Sequence, residues 1–240
     1  MKIFALNLCL SFEVKNPDQN YEFPPVSFEV LMGHLFKGSE LEGKIFYVDA
    51  AKEERLLDHV FDLQANEVFR DFDLTVVLLF RSESTRDDFL DPFKDMFSQT
   101  DAAGGLVVNE KGEYLCIYNR HKWTLPKGGV EWLEPVEQAA VREVKEETGL
   151  DEVSILHALP STYHTFRRKR KWVLKTTYWY KMEASEEEEL FPQEEENIEA
   201  VQWMSKEEWL EVAAQSYPLT RHLFQHEFTK SLIPPTSSPQ

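Results

Sequence analysis

Five charged side chains recur at fixed spacing between Gly128 and Leu150, in GGVEWLEPVEQAAVREVKEETGL: Glu134, Arg142, Glu143, Glu146 and Glu147. On a helix Glu143, Glu146 and Glu147 fall at i, i+3 and i+4 and are neighbours. Three carboxylates on one face repel each other and call for positive charge. Arg142, four residues before Glu146, supplies part of it. Divalent cations would supply the rest, and an all-oxygen ligand set suits Mg2+ or Mn2+. A Glu-rich helix is also often just a solvated face, so the spacing has to carry the argument.

The stretch reads as a helix. Pro135 suits the first helical position, where its missing N–H has no partner to lose. From Val136 to Thr148 nothing breaks a helix, and Ala139 and Ala140 favour one. Gly149 is the usual stop.

Gly128, five residues, Glu134, seven residues and then Arg-Glu-Val-x-Glu-Glu-x-Gly-Leu fill every fixed position of the Nudix box without a gap. The sequence thus resembles the Nudix hydrolase superfamily over roughly 101–214, not over the whole chain. The resemblance implies an α/β fold, a mixed sheet sandwiched between helices. It also implies cleavage of a diphosphate linkage in a nucleoside diphosphate joined to another group, or in a polyphosphate. By the same resemblance Glu143 and Glu147 are metal ligands, Glu146 binds directly or through water, and the Lys127 backbone carbonyl is a further ligand. Arg142 orients the carboxylates, and Glu134 is a structural partner of the box. The general base varies in the superfamily. A box carboxylate such as Glu146, or Glu195 or Glu196 before Trp203, is a candidate, and plain solvation accounts for the last two equally well. Leu133 stands where many relatives carry Gly, outside the strict pattern; it bears on the shape of the loop.

The substrate branch is read from residues around the box. Leu125-Pro-Lys-Gly-Gly, Tyr163-His164-Thr-Phe, Lys175 and Tyr178 look like the dinucleoside polyphosphate and diphosphoinositol polyphosphate hydrolases. Lys175 would meet a phosphate, and Tyr163 or His164 would stack on a base or bind phosphate, though ordinary strand packing explains each as well. Arg167-Arg168-Lys169-Arg170-Lys171 is the one basic cluster of the chain. It reads either as a phosphate-binding patch or as a charged hairpin tip that keeps a sheet edge soluble.

Composition narrows the classes. A net charge of −17 over 240 residues argues against a nucleic-acid surface, which needs a basic stripe. It also repels an anionic substrate at long range, so attraction has to be local. Cys9 and Cys116 lie in unrelated segments; they give no zinc spacing and no disulfide framework, and fit a reducing cytoplasm. The apolar start is too short to span a membrane, and no signal-peptide pattern is present.

The elements that would position the box follow in order. Residues 2–14 read as a strand, Ser27 caps a short helix through Phe36, and Lys44–Val48 is a strand. Leu56, Leu57, Val60 and Phe61 have helical spacing, and Leu74–Phe80 is a strand. A helix starting near Thr85 carries Phe89, Phe93 and Phe97. This order predicts a small α/β domain over 1–98 with no catalytic motif, His34 and His59 being structural or surface residues. A second domain, 99–230, opens with a strand at Leu106–Val108 and its hairpin partner Glu113–Tyr118. Strands at 153–166 and 172–182 flank the basic cluster, and Glu186–Glu189 reads as an acidic loop. Ile198–Met204 is the last strand, Ser205 and Glu208 form a capping box, and Pro218–Lys230 is a helix. The Pro- and Ser-rich residues 231–240 read as a disordered tail. A twofold homodimer is expected. A ligand sensor on the same fold, with the first domain as effector, is the alternative to the hydrolase; the full glutamate set favours the enzyme.

Overall fold

Leu74–Phe80 is apolar at nearly every position because both of its faces are covered. It forms β4, and Val76 to Phe80 are all buried. The computed structural model describes residues 1–5, 8–15, 44–50 and 74–230, with Pro25, Leu31, Arg55, Leu56, Asp58 and Val60 as single positions. The expected helix after Ser27, His34, His59 and the tail 231–240 lie outside the described residues. Leu56, Asp58 and Val60 are helical.

The chain divides into two compact units, 1–100 with 162–176 and 101–161 with 177–240. In the first, the expected single strand over 2–14 is a hairpin: β1 (Lys2–Ala5) and β2 (Leu8–Val14) pair antiparallel, Ala5 opposite Leu8. Alternation with period two is the same in one long strand as in two that fold back over two residues, so the pattern alone does not separate them. β2 and β3 (Lys44–Asp49) both pair with β4 in parallel. Helix α1 (Glu83–Asp95) starts earlier than expected, because Ser82 caps it in a reciprocal box with Thr85. Phe93 and Phe97 are buried and Phe89 packs against the same core, which also takes Ile3, Leu10 and Phe12.

The 153–182 hairpin, expected whole in the second domain and inside the range of that expectation, is shared between the two compact units. β9 (Ser154–Arg168) and β10 (Lys171–Glu183) run out of the second unit, and their 162–176 portion belongs to the first. The reason is pairing and burial: Tyr163 and His164 pair in parallel with Ile3 and Phe4, and Leu174 is buried in the first core. Lys169 and Arg170 turn the hairpin at φ 51 and 77, the primed geometry that fits twisted strands.

The second unit contains β5 (Ser98–Val108), whose last eight residues lie in it, with β6 (Tyr114–Asn119), β7 (Lys122–Thr124), β8 (Lys127–Gly129) and β11 (Ile198–Met204). Its strand order is β11-β6-β5-β10-β9, with β7 on β6 and β8 on β5. Helix α2 is Val136–Thr148. One core lies under it, built on Ala139, Ala140, Val144, Val107 and Met182. A second joins Leu125 and Trp179 to α3 (Lys206–Val212) and α4 (Pro218–Lys230) through Trp209, Leu223 and Phe224. No helix among the described residues is long and apolar enough to cross a membrane.

Candidate active site

Helix α2 sorts its glutamates by burial. Pro135 is its N-cap rather than its first residue, at φ −62 and ψ 139, and its carbonyl accepts from Ala139 at 3.0 Å. Gly149 ends it at φ 80, its N–H bonded to the Lys145 carbonyl. Glu143 and Glu147 sit on the inward stripe with Ala140 and Val144, at 5% and 2% exposure, whereas the Glu146 side chain is 47% exposed. The three carboxylates therefore share a side of the helix but not an environment.

Arg142 is the hub. Its Nε and Nη2 clasp both oxygens of Glu134 at 2.8 Å, its Nη1 reaches Glu143 at 2.8 Å and Glu146 at 2.9 Å, and Nη2 also reaches the Gly129 carbonyl at 2.9 Å. These bonds hold the Glu134 carboxyl down at about 2 and push the guanidinium further above its ordinary range. Burial works the other way on the inner pair. It raises Glu143 and pushes Glu147 up to about 7, against the opposing pull of Arg142 on the first and Lys127 on the second. Each also feels the negative charge of Glu196, which raises it further. The second unit thus brings Glu196 into electrostatic reach of the box. A 3-10 turn (Glu194–Glu196) carries it, ended by Asn197 at φ 60, and Asn119 Nδ2 donates to the Glu196 carbonyl at 3.0 Å.

The loop ahead of the helix is held against these side chains by glycines. The Lys127 N–H donates to Glu147 Oε2 at 2.7 Å. A methyl group at Gly128 would collide with the Glu143 carboxylate, and one at Gly104 would overlap the Pro126 carbonyl and Lys127. Gly104 lies opposite Lys127 in the β5–β8 ladder, and the Gly105 N–H bonds the Pro126 carbonyl at 3.1 Å. Ser216 Oγ donates to the Trp123 carbonyl at 2.6 Å and Thr220 of α4 bonds Thr124 at 3.0 Å, so α4 and the residues just before it fix β7. Gly104 and Asn119 were not singled out from sequence. A glycine pair inside a strand was the available signal for Gly104; Asn119 carried none.

The donor chemistry fits a hard divalent cation. The set is all oxygen, and two buried carboxyls with like charge nearby are costly to ionise without a counter-ion. Among the described residues no three acidic, His or Cys side chains close on one point; Glu143 and Glu146 both engage Arg142 instead.

A model of the NUDIX domain matches residues 98–223, more than half of the chain. The chain belongs to the Nudix family. Nudix hydrolase 2 of Arabidopsis thaliana is 33% identical over 129 residues, which are 50% of this chain and 44% of that one. An RNA pyrophosphohydrolase of Tolumonas auensis is 44% identical over 57 residues, 22% of this chain and 33% of that one. The chain spans less than half the length of these curated relatives. Among solved structures, a C. elegans Ap4A hydrolase complex overlaps 55% of this chain and 97% of its own, at a TM-score of 0.43 and 24% identity. The Nudix match takes in Lys127, Arg142, Glu143, Glu146, Glu147 and Glu196, all of them in the second unit. The residues read from sequence as substrate contacts also lie within the matched range. Tyr163, His164, Arg167, Arg168 and Lys175 fall in the first unit. There Tyr163 packs on the core, His164 stacks on Phe166 at 5.7 Å, and Arg167 lies over the Trp172 ring at 5.7 Å.

Proposed function

We propose that this Nudix domain is a metal-dependent pyrophosphohydrolase that cleaves a diphosphate linkage in a nucleoside diphosphate-linked or polyphosphate substrate. The observation that carries the reading is the buried pair Glu143 and Glu147 on the inward stripe of α2, the second of them accepting from the Lys127 N–H of the loop ahead. Curated relatives named Nudix hydrolase and RNA pyrophosphohydrolase support it.

Glu143 and Glu147 would hold the cation, with the Lys127 carbonyl and Glu146 beside them. Mg2+ or Mn2+ held there would supply the positive charge that offsets the phosphate oxygens and makes water more acidic. Arg142 fixes the directions of Glu143 and Glu146, so little reorganisation is left for the reaction. Water attacks phosphorus. A new P–O bond forms from its oxygen, its proton passes to a carboxylate, and the bridging P–O bond breaks with the oxygen leaving on the second phosphate. Glu196 is assigned as the proton acceptor, as an exposed carboxylate on a turn anchored by Asn119 and outside the hydrogen bonds of Arg142.

The test is product release from a panel of phosphoanhydrides with Mg2+, Mn2+ or EDTA. Turnover with either ion and none with EDTA is expected. A metal-saturated protein that cleaves no phosphoanhydride would overturn the reading.

A further inference from the structure

Trp132 and Leu133 are 90% and 85% exposed, two large apolar side chains side by side in water. They occupy the middle of a four-residue turn closed by the Glu134 N–H on the Glu131 carbonyl at 3.1 Å. Leu133 holds φ 66, the left-handed region where glycine is at ease and a leucine is strained. A strained residue persists only where its surroundings over-determine it, and such residues cluster at ligand sites. The surroundings here are rigid. Glu134 Oε2 accepts the Glu131 N–H at 3.0 Å, and the same carboxylate is clasped by Arg142, which also holds Glu143 and Glu146. Two residues of chain place the Trp132 Cα within about 7 Å of that of Glu134. The backbone of the turn that carries the indole is therefore tied, through one guanidinium, to the carboxylates that would hold the metal and the diphosphate.

Charge narrows what covers it. Glu131, Glu134 and Glu137 surround the tip in sequence, so the phosphate chain itself is repelled there. A second copy of a chain of net charge −17 is repelled as well. An uncharged, flat, aromatic group joined to a phosphate held by metal fits both limits. We propose that the Trp132–Leu133 tip is the platform for the nucleobase of the substrate, so that the substrates are nucleotides rather than base-free polyphosphates. The inference rests on the hydrolase reading above. The indole stacks on the base, and Leu133 gives it an apolar edge.

The experiment compares the full chain with its Trp132→Ala and Trp132→Phe variants on a dinucleoside polyphosphate and on a base-free diphosphoinositol polyphosphate. Stacking on an aromatic side chain contributes roughly ten- to a hundredfold in affinity per base. Trp132→Ala is expected to raise KM for the nucleotide about tenfold or more with kcat within about twofold, and Trp132→Phe to restore most of it. KM for the base-free substrate is expected to move less than about twofold. An equal change on both substrates, or none on either, overturns the proposal. Nucleotide quenching of indole fluorescence, present in wild type and lost in Trp132→Ala, gives a readout independent of turnover. If wild type cleaves nothing, the hydrolase reading fails while the quenching still decides this one; no quenching overturns it.

Discussion

The backbone N–H of Lys127 donates to Glu147 Oε2 at 2.7 Å, joining the loop before the box to the most buried carboxylate within it. The bond leaves one oxygen of Glu147 for another partner and sets the direction in which it points. Loop and helix therefore fail together, and variants on either side should show it.

Glu147→Gln and Glu143→Gln keep shape and lose charge. Each is expected to lower kcat at least a hundredfold, about 3 kcal/mol or more, with unchanged circular dichroism. Near wild-type rates in both would remove them from the metal site.

The Glu147 carboxyl stands at about 7 in the fold against an ordinary 4.5. A raised carboxyl means that the folded state binds the proton more tightly than the unfolded one. Metal-free protein should thus lose stability as pH rises from about 4.5 to about 7, by on the order of 3 kcal/mol from this group. Glu147→Gln should flatten that slope in urea titrations. Metal affinity should climb over the same window, because the ion needs the carboxylate. A wild-type stability that rises with pH there, in EDTA, would contradict the assignment.

Gly104→Ala forces the Pro126–Lys127 backbone away from β5. Support of this kind is worth roughly ten- to a hundredfold in metal affinity. Calorimetric Mn2+ titration should show the weakening in protein that remains folded; unchanged binding would mean that the loop yields without moving the ligands.

Leu133→Gly removes the left-handed strain, at the cost of a more flexible unfolded chain. The balance should favour the variant by up to about 1 kcal/mol, measured as a higher Tm. A lower Tm would mean that the leucine side chain is held by contacts that outweigh its backbone.

A fragment of residues 99–240 keeps 162–176 but loses β1 and the first core. Tyr163, Trp172 and Leu174 would then face water, and the edge of β9 would be unpaired. The fragment should aggregate, and replacing 162–176 by a short turn should restore a monodisperse species. Size-exclusion chromatography separates the two outcomes, and a soluble monomer from the unmodified fragment would contradict the pairing.

Sequence reasoning reached furthest where one residue type does one local thing. The box helix, its Gly149 stop, the Ser205–Glu208 cap and the strands at 74–80 and 198–204 were legible for that reason. It stopped where tertiary pairing decides. The hairpin arms 162–176 look like any β-branched, aromatic strand, and nothing local in them names β1 as a partner. Nor does local pattern separate Glu143 and Glu147 from Glu146, since burial depends on what packs over the helix. From sequence Glu186–Glu189 reads only as an acidic loop. In the fold Glu186 pairs with Lys111, and Glu188 accepts from the Asp151 N–H.

Arg142 makes five bonds to five acceptors, which exhausts its donors. Those acceptors belong to a turn, a strand and a helix. Lysine offers three donors and no planar fork, so the conservative swap would be a severe one. Mutational effects here will not add: once the guanidinium is gone, a second change at Glu134 removes only its bond from the Glu131 N–H. For anyone engineering this domain, the box behaves as one heritable unit, to be moved or redesigned whole rather than residue by residue.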